Sequence, residues 1–327
     1  MRKSFEDPYL DRVAGSVLGL LTGDALGMPV EGWDWPEVEA RFGWLDRMVP
    51  GRLPAGSYTD DGQMAVGLLE SLVEAGGFDP ALCAARWLAN FEPQRGYGGR
   101  IKSLMDRLAE GQGWDKVGTN SFGNGAAMRI GPLGVWYGRE PDLSREELIR
   151  AAKTSARITH RHPQAVAGAV AQALAVARAC SLGLAGRPLD PEPFLTGLVQ
   201  EISPLDPGSG ERLKSLLGLK SGSAKELRRD LAGLFARDVR AVETVYPALA
   251  AVLMSGSFSG AVELAVNLGG DTDTLGAMAG AVAGAYYGAG SIPAGWLGTL
   301  ENGARGRDYV IGLCREAARI RGTVKKI

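Results

Sequence analysis

The sequence predicts an all-α protein, and three observations carry that reading. Apolar residues return at helical spacing, as in Met64-Leu68-Leu69-Leu72, Val166-Val170-Leu174-Ala177 and Val242-Val245-Leu249-Val252-Leu253. Short Gly/Pro/Asp/Asn stretches such as LPAGS, EPQRGYGG, SFGNG, HRHPQ, SFSG and NLGGD separate these segments as loops. Runs that alternate β-branched with polar residues are nearly absent. Helices of ordinary length joined by short loops follow.

Composition narrows the class further. Among 327 residues, 45% are hydrophobic and 22% charged, enough apolar surface for a large core. A formal net charge of −1 leaves no excess of basic residues to form a broad face for nucleic acid. With 2 His and 3 Cys the chain is neither a zinc ribbon nor a disulfide scaffold. Cys83, Cys180 and Cys314 lie far apart in apolar helical contexts and read as free buried thiols. The outlying number is 47 glycines, about twice the usual share, so their placement carries meaning.

In chain order, the first segment, MRKSFEDPYLDRV, has acidic residues where a secretion signal needs apolar ones; a cytoplasmic protein is expected. Gly15, Gly19, Gly23 and Gly27 then recur every four residues, a smooth stripe that lets a second backbone approach. Asp24 lies beside the stripe. Pro29 should end the helix and leave Glu31 on a loop, where a carboxylate suits proton transfer.

Next comes Ser57-Tyr58-Thr59-Asp60-Asp61-Gly62, opening the helix AVGLLESLVEAGG. Two loops follow, Arg95-Gly96-Tyr97-Gly98-Gly99-Arg100 and Ser121-Phe122-Gly123-Asn124-Gly125. Each is expected to leave backbone N–H groups free beside an aromatic ring, a combination suited to a phosphate and a stacked base, although turn chemistry alone also produces such loops. His160 and His162 flank a helix–helix junction, with Pro163 as the first residue of the next helix. The polar stretch from Gly186 to Asp230 reads as a surface insertion in a single domain spanning residues 1–327. Near the end, Gly269-Gly270-Asp271-Thr272-Asp273-Thr274 opens a second helix. The uncharged run from Leu275 to Leu300 that follows reads as a core helix and not a membrane span, because small residues fill it and Pro293 interrupts it.

The two acidic segments share one pattern: Thr and a pair of carboxylates at a helix start. One Asp or Thr in each accounts for an ordinary N-cap. Two carboxylates in each first turn, at the head of an apolar helix, leave negative charge that a cation would balance. The ligand atoms would all be oxygen, which selects Mg²⁺, Mn²⁺ or Ca²⁺ over zinc. Spacing alone leaves paired caps and a metal site both open.

Taken together, GDALGMPVE, SYTDDGQM, RGYGG, SFGNGAAMR, ITHRHP and NLGGDTDTLGAMAGA resemble the ADP-ribosylglycohydrolase family, in the family's order and over essentially the whole chain. The resemblance implies a compact orthogonal helical bundle with two Mg²⁺ (Mn²⁺ in some members) in a cleft. By motif position, Thr59, Asp60, Asp61, Asp271, Asp273 and Thr274 would hold the ions. Glu31, with Asp61 assisting, would carry proton transfer. Gly96, Tyr97, Gly98, Gly99, Ser121, Phe122, Gly123 and Asn124 would contact the diphosphate and distal ribose, and His160 the adenosine end. His162 receives no role.

What the resemblance implies functionally is hydrolysis of the bond between ADP-ribose and a modified side chain. The loops lean towards the branch acting on ADP-ribosylserine, against the branch acting on ADP-ribosylarginine. O-acetyl-ADP-ribose or poly(ADP-ribose) ends are further substrates of the same chemistry. The expected partners are therefore ADP-ribose and ADP-ribosylated proteins or small molecules, met by a monomer, with neither sequence-specific nucleic acid nor a membrane involved. Two rival classes predict other outcomes: a metal-dependent phosphohydrolase would release phosphate or AMP, and a non-catalytic relative would only bind.

Overall fold

A computed structural model describes residues 5–139, 141–220 and 222–323. The described residues form seventeen α-helices and no strand. In chain order they are α1 (Pro8–Gly27), α2 (Trp35–Phe42), α3 (Asp60–Ala75), α4 (Pro80–Asn90), α5 (Gly99–Ala109), α6 (Gly125–Met128), α7 (Gly131–Tyr137), α8 (Pro141–Arg157) and α9 (Pro163–Leu184). The second half holds α10 (Pro191–Ile202), α11 (Pro207–Lys214), α12 (Ala224–Leu234), α13 (Ala241–Leu253), α14 (Phe258–Val266), α15 (Thr272–Tyr287), α16 (Ala294–Thr299) and α17 (Arg307–Thr323). The all-α reading of the sequence holds.

The glycine stripe decides how the centre is built. A methyl group added at Gly15, Gly19 or Gly23 would collide with the carbonyl oxygen of Gly284, Gly280 or Gly276. The reverse additions on α15 would strike Gly15, Gly19 and Gly23. Two helices therefore run antiparallel with interlocking four-residue glycine ladders, over a seam of about 18 Å at the α-helical rise. Thr272 Oγ1 closes it by donating to the Gly27 carbonyl at 2.8 Å. The α1–α15 contact is the most extensive between any two elements.

Around this pair, α9 lies against α15 and Gln172 donates to the Met278 carbonyl at 2.9 Å. Both α1 and α9 are long and apolar enough to span a bilayer, yet 94% and 83% of their most apolar windows are buried in the bundle. The run from Leu275 to Leu300 divides into α15, a short 3₁₀ turn and α16. Within it, Leu275 through Ala285 are buried. Residues 186–230 contain α10, α11 and most of α12, and bury Phe194, Leu195, Leu198, Ile202, Leu213 and Leu227. All three cysteines are free and buried, as expected.

Because the central pair is antiparallel, the end of α1 meets the start of α15. That arrangement brings Asp24 and Glu31 to Asp271 and Asp273. Asp24 then recruits a third element: its carboxylate accepts the Thr59 amide at 2.9 Å and the Gly62 amide at 2.8 Å, holding the start of α3. Three helix ends meet at one place.

Candidate active site

At this junction a cleft of about 400 Å³ opens, within the size range of a small-molecule site. Glu31, Asp60, Asp61, Asp271, Asp273 and Thr274 line one side. Gly96, Gly98, Gly99, Ser121, Gly123, Asn124 and His160 line the rest, so motifs spread over most of the chain share one cavity. Thr59, Tyr97 and Phe122 are not among the lining residues. Thr59 is buried as the N-cap of α3 and accepts the Asp61 amide. Tyr97 is 3% exposed, donates to Gln63 Oε1 at 2.8 Å and packs edge-on against Phe91, supporting its loop from beneath. Phe122 stays 43% exposed, with its ring edge-on to His162.

Loop backbones are stitched together by isolated bridges, Thr119 with His160, Gly123 with Arg240 and Asp34 with Gly269. One expectation from the sequence fails here. The Gly123 and Asn124 amides are not free, because they donate to Ser121 Oγ and the Val239 carbonyl. The other glycine loop leads directly into α5, with Gly98 as N-cap and Gly99 and Arg100 in the first turn facing the cleft. A helix start of this kind favours an anion.

Among the described residues, Glu31, Asp271 and Asp273 offer oxygens within 4.8 Å of one another. Glu31, to which the family resemblance gives proton transfer, thus stands inside this acidic group. Burial, reinforced by the charge of Asp271, raises the pKa of Asp273, and burial with the Asp273 charge raises those of Asp60 and Asp61. Glu31 is pushed up to about 7 by burial and Asp273, against the pull of Arg52. Asp271 is raised by burial and held by Asn124, which donates to its Oδ2 at 2.6 Å.

Asp61 Oδ2 is a buried oxygen with no hydrogen-bond partner. A buried acceptor left unpaired among like charges is costly. The donor set is all oxygen, as a hard divalent cation requires, so the residues fit such an ion.

Several residues support the cleft in ways their motifs alone do not reveal. Arg129 is fully buried, stacks on Trp87 at 4.1 Å, and donates to the Gly125 carbonyl and to Thr159 Oγ1, each at 2.7 Å. Burial lowers its pKa to about 10, which still leaves it charged at neutral pH. Thr159 Oγ1 in turn shares a 2.7 Å hydrogen bond with His160 Nδ1. Burial and the Arg129 charge lower the His160 pKa to about 3, so this ring meets the cleft neutral. His162 caps α9, its Nδ1 accepting the Gln164 amide at 3.2 Å. Arg237 adopts a left-handed backbone (φ 56°) that aims its carbonyl at the Asp271 amide.

A family model described as ADP-ribosylglycohydrolase matches residues 6–325. The chain belongs to the ADP-ribosylglycohydrolase family. As a member it is an ADP-ribosyl hydrolase. It is 31% identical to the uncharacterized protein YegU of Escherichia coli, with 86% of this chain and 89% of that protein covered. It is 30% identical to the ADP-ribosylhydrolase ARH3 of Xenopus tropicalis, covering 92% and 94%, and 28% identical to human ARH3 over 89% and 90%. A solved structure titled ADP-ribosylglycohydrolase-related protein complex superposes with a TM-score of 0.74 at 32% identity, over 96% of this chain and 99% of that one. That family fold agrees with the all-α bundle described above.

Proposed function

We propose that this ADP-ribosylglycohydrolase cleaves the bond joining ADP-ribose to a modified serine side chain, with divalent metal ions bound in the acidic cleft. One observation carries the reading: the acids of the α1, α3 and α15 ends share a single cavity with the RGYGG and SFGNG loops and His160. The match to ARH3 over nine-tenths of the chain supports it, as does the loop sequence.

Thr59, Asp60, Asp61, Asp271, Asp273 and Thr274 would hold the metal. Bound there, two Mg²⁺ or Mn²⁺ would orient the distal ribose and supply positive charge near the reacting water. The rest falls to the protein's own groups. Glu31, on the loop beyond α1 and lining the cleft, is placed to give a proton to the departing serine oxygen and take one from the incoming water. Glycosidic cleavage develops positive charge on the ribose ring, and carboxylate oxygens fixed nearby stabilise it. Gly99 and Arg100, in the first turn of α5, suit the diphosphate. The neutral His160, which lines the cleft, suits the adenosine end.

The deciding experiment measures ADP-ribose released from serine-linked and arginine-linked peptides, with Mg²⁺, with Mn²⁺ and with chelator. Metal-dependent release from the serine linkage alone is the expected result. Release from arginine alone would overturn the linkage and keep the chemistry. Metal-independent release would remove the ions from the reading.

A further inference from the structure

The backbone at Glu31 is pinned. Gly32 donates to the Gly270 carbonyl and Gly270 donates to the Trp33 carbonyl, both at 2.7 Å. The carboxylate itself sits on a loop beside like charges, with 40% of its side-chain surface in water. A loop carboxylate with that much exposure keeps one orientation only where a partner holds it. Among the described residues Arg52 is that partner, donating from Nε at 3.1 Å and from Nη2 at 2.9 Å, both to Glu31 Oε2. The same Nη2 reaches Asp273 Oδ2 at 3.4 Å, and Nη1 donates to the Arg95 carbonyl at 2.8 Å.

The guanidinium thus ties together the loop after α1, the start of α15 and the loop before α5. A planar fork can serve three such partners, whereas a lysine ammonium is a single point. Gly96 explains how it fits. Its φ is 112°, and any side chain there would collide with the Arg52 guanidinium. This glycine makes room for the arginine as well as lining the cleft.

We infer that Arg52 is a positioning residue for Glu31, holding its carboxylate against the acidic group and tying it to the RGYGG loop. The inference rests on Glu31 being the proton-transfer group. Arg52 is not among the cleft-lining residues, so it would act through Glu31 and not on the substrate.

The test compares Arg52→Gln, Arg52→Lys, Glu31→Gln and the Arg52→Gln/Glu31→Gln double variant. For ADP-ribose release, kcat of Arg52→Gln should fall about 10–100-fold, the usual cost of removing a partner that orients a site ligand. KM should change less than about two-fold, and Arg52→Lys should recover only part of the loss. Adding Arg52→Gln to Glu31→Gln should cost nothing more, because the two residues act as one unit. Losses that multiply would overturn the inference. A crystal structure of Arg52→Gln gives a readout independent of turnover: Glu31 should leave Asp273 while Asp60, Asp61 and Asp271 stay in place. An unmoved Glu31 would overturn the inference. If the unmodified protein releases no ADP-ribose from any linkage, the functional reading fails, and the crystallographic result still decides what positions Glu31.

Discussion

Gly23 and Gly276 face one another across the α1–α15 seam so closely that neither has room for a side chain. Glu31 lies on the loop just beyond α1, and Asp271 and Asp273 stand at the start of α15, so the seam sets the distance between them. Gly276→Ala and Gly284→Ala each force a methyl into backbone and should lower stability by about 1–3 kcal/mol, the usual cost of overpacking. The two should differ in function. Gly276→Ala strains the seam beside Asp273, whereas Gly284→Ala strains its far end. Thermal melts and ADP-ribose release, measured on both, should show similar loss of stability and a larger loss of kcat for Gly276→Ala. Equal kcat losses would mean that the seam does not transmit its spacing to the cleft.

Glu31→Gln keeps the size of the side chain and removes its proton chemistry. Its kcat should fall by about 10²–10⁴, with the melting temperature near that of the parent chain. Near-normal turnover would exclude Glu31 from proton transfer.

The acidic cleft should also be visible in stability. With chelator present, Asp60, Asp61 and Asp273 repel one another, and their raised pKa values mean the folded chain binds protons more tightly than the unfolded one. Stability from these groups is therefore present at low pH and lost as pH rises through the raised values. Adding Mg²⁺ at neutral pH should raise the melting temperature. Asp273→Asn should abolish that rise and make the chelated protein more stable than its parent. A parent chain whose melting temperature ignores Mg²⁺ would remove the metal site.

His160 works in the opposite sense. Its folded pKa near 3 lies below the usual 6.5, so the unfolded chain takes up a proton first as pH falls. The stability this neutral ring contributes is complete above about pH 6.5 and is lost as pH falls towards 3. Between pH 7.5 and 5, the parent chain should lose about 2 kcal/mol more than His160→Gln, from proton uptake by the unfolded imidazole alone. Urea midpoints of both proteins at the two pH values measure this. Parallel losses would show that the ring titrates normally.

Much of the site was legible because it is written in local runs. The stripe at Gly15, Gly19, Gly23 and Gly27 announces a close backbone approach from its spacing alone. Thr59-Asp60-Asp61 and Asp271-Thr272-Asp273 announce acidic helix starts. The matching stripe at Gly276, Gly280 and Gly284 has the same spacing, and only the fold shows that the two ladders interlock. Arg52 could not be read, because LPAGS and its neighbours have no period and its partners lie at positions 31, 95 and 273. Arg129 sits inside a quoted motif, yet its task is the buried bond to Thr159 behind His160. Tyr97 illustrates the converse: an aromatic ring in a glycine loop looks like a ligand contact until its hydroxyl is found on Gln63.

The central seam has a consequence for how the protein is made. Gly23 precedes Gly276 by 253 residues, and α1 has no comparable partner closer in sequence. During synthesis, a twenty-residue apolar helix must wait for most of the chain to leave the ribosome before its main counterpart arrives. Contacts this distant in sequence form late. A fragment that stops before α15 lacks Asp273 and leaves α1 without its main counterpart, so it cannot assemble the acidic cleft.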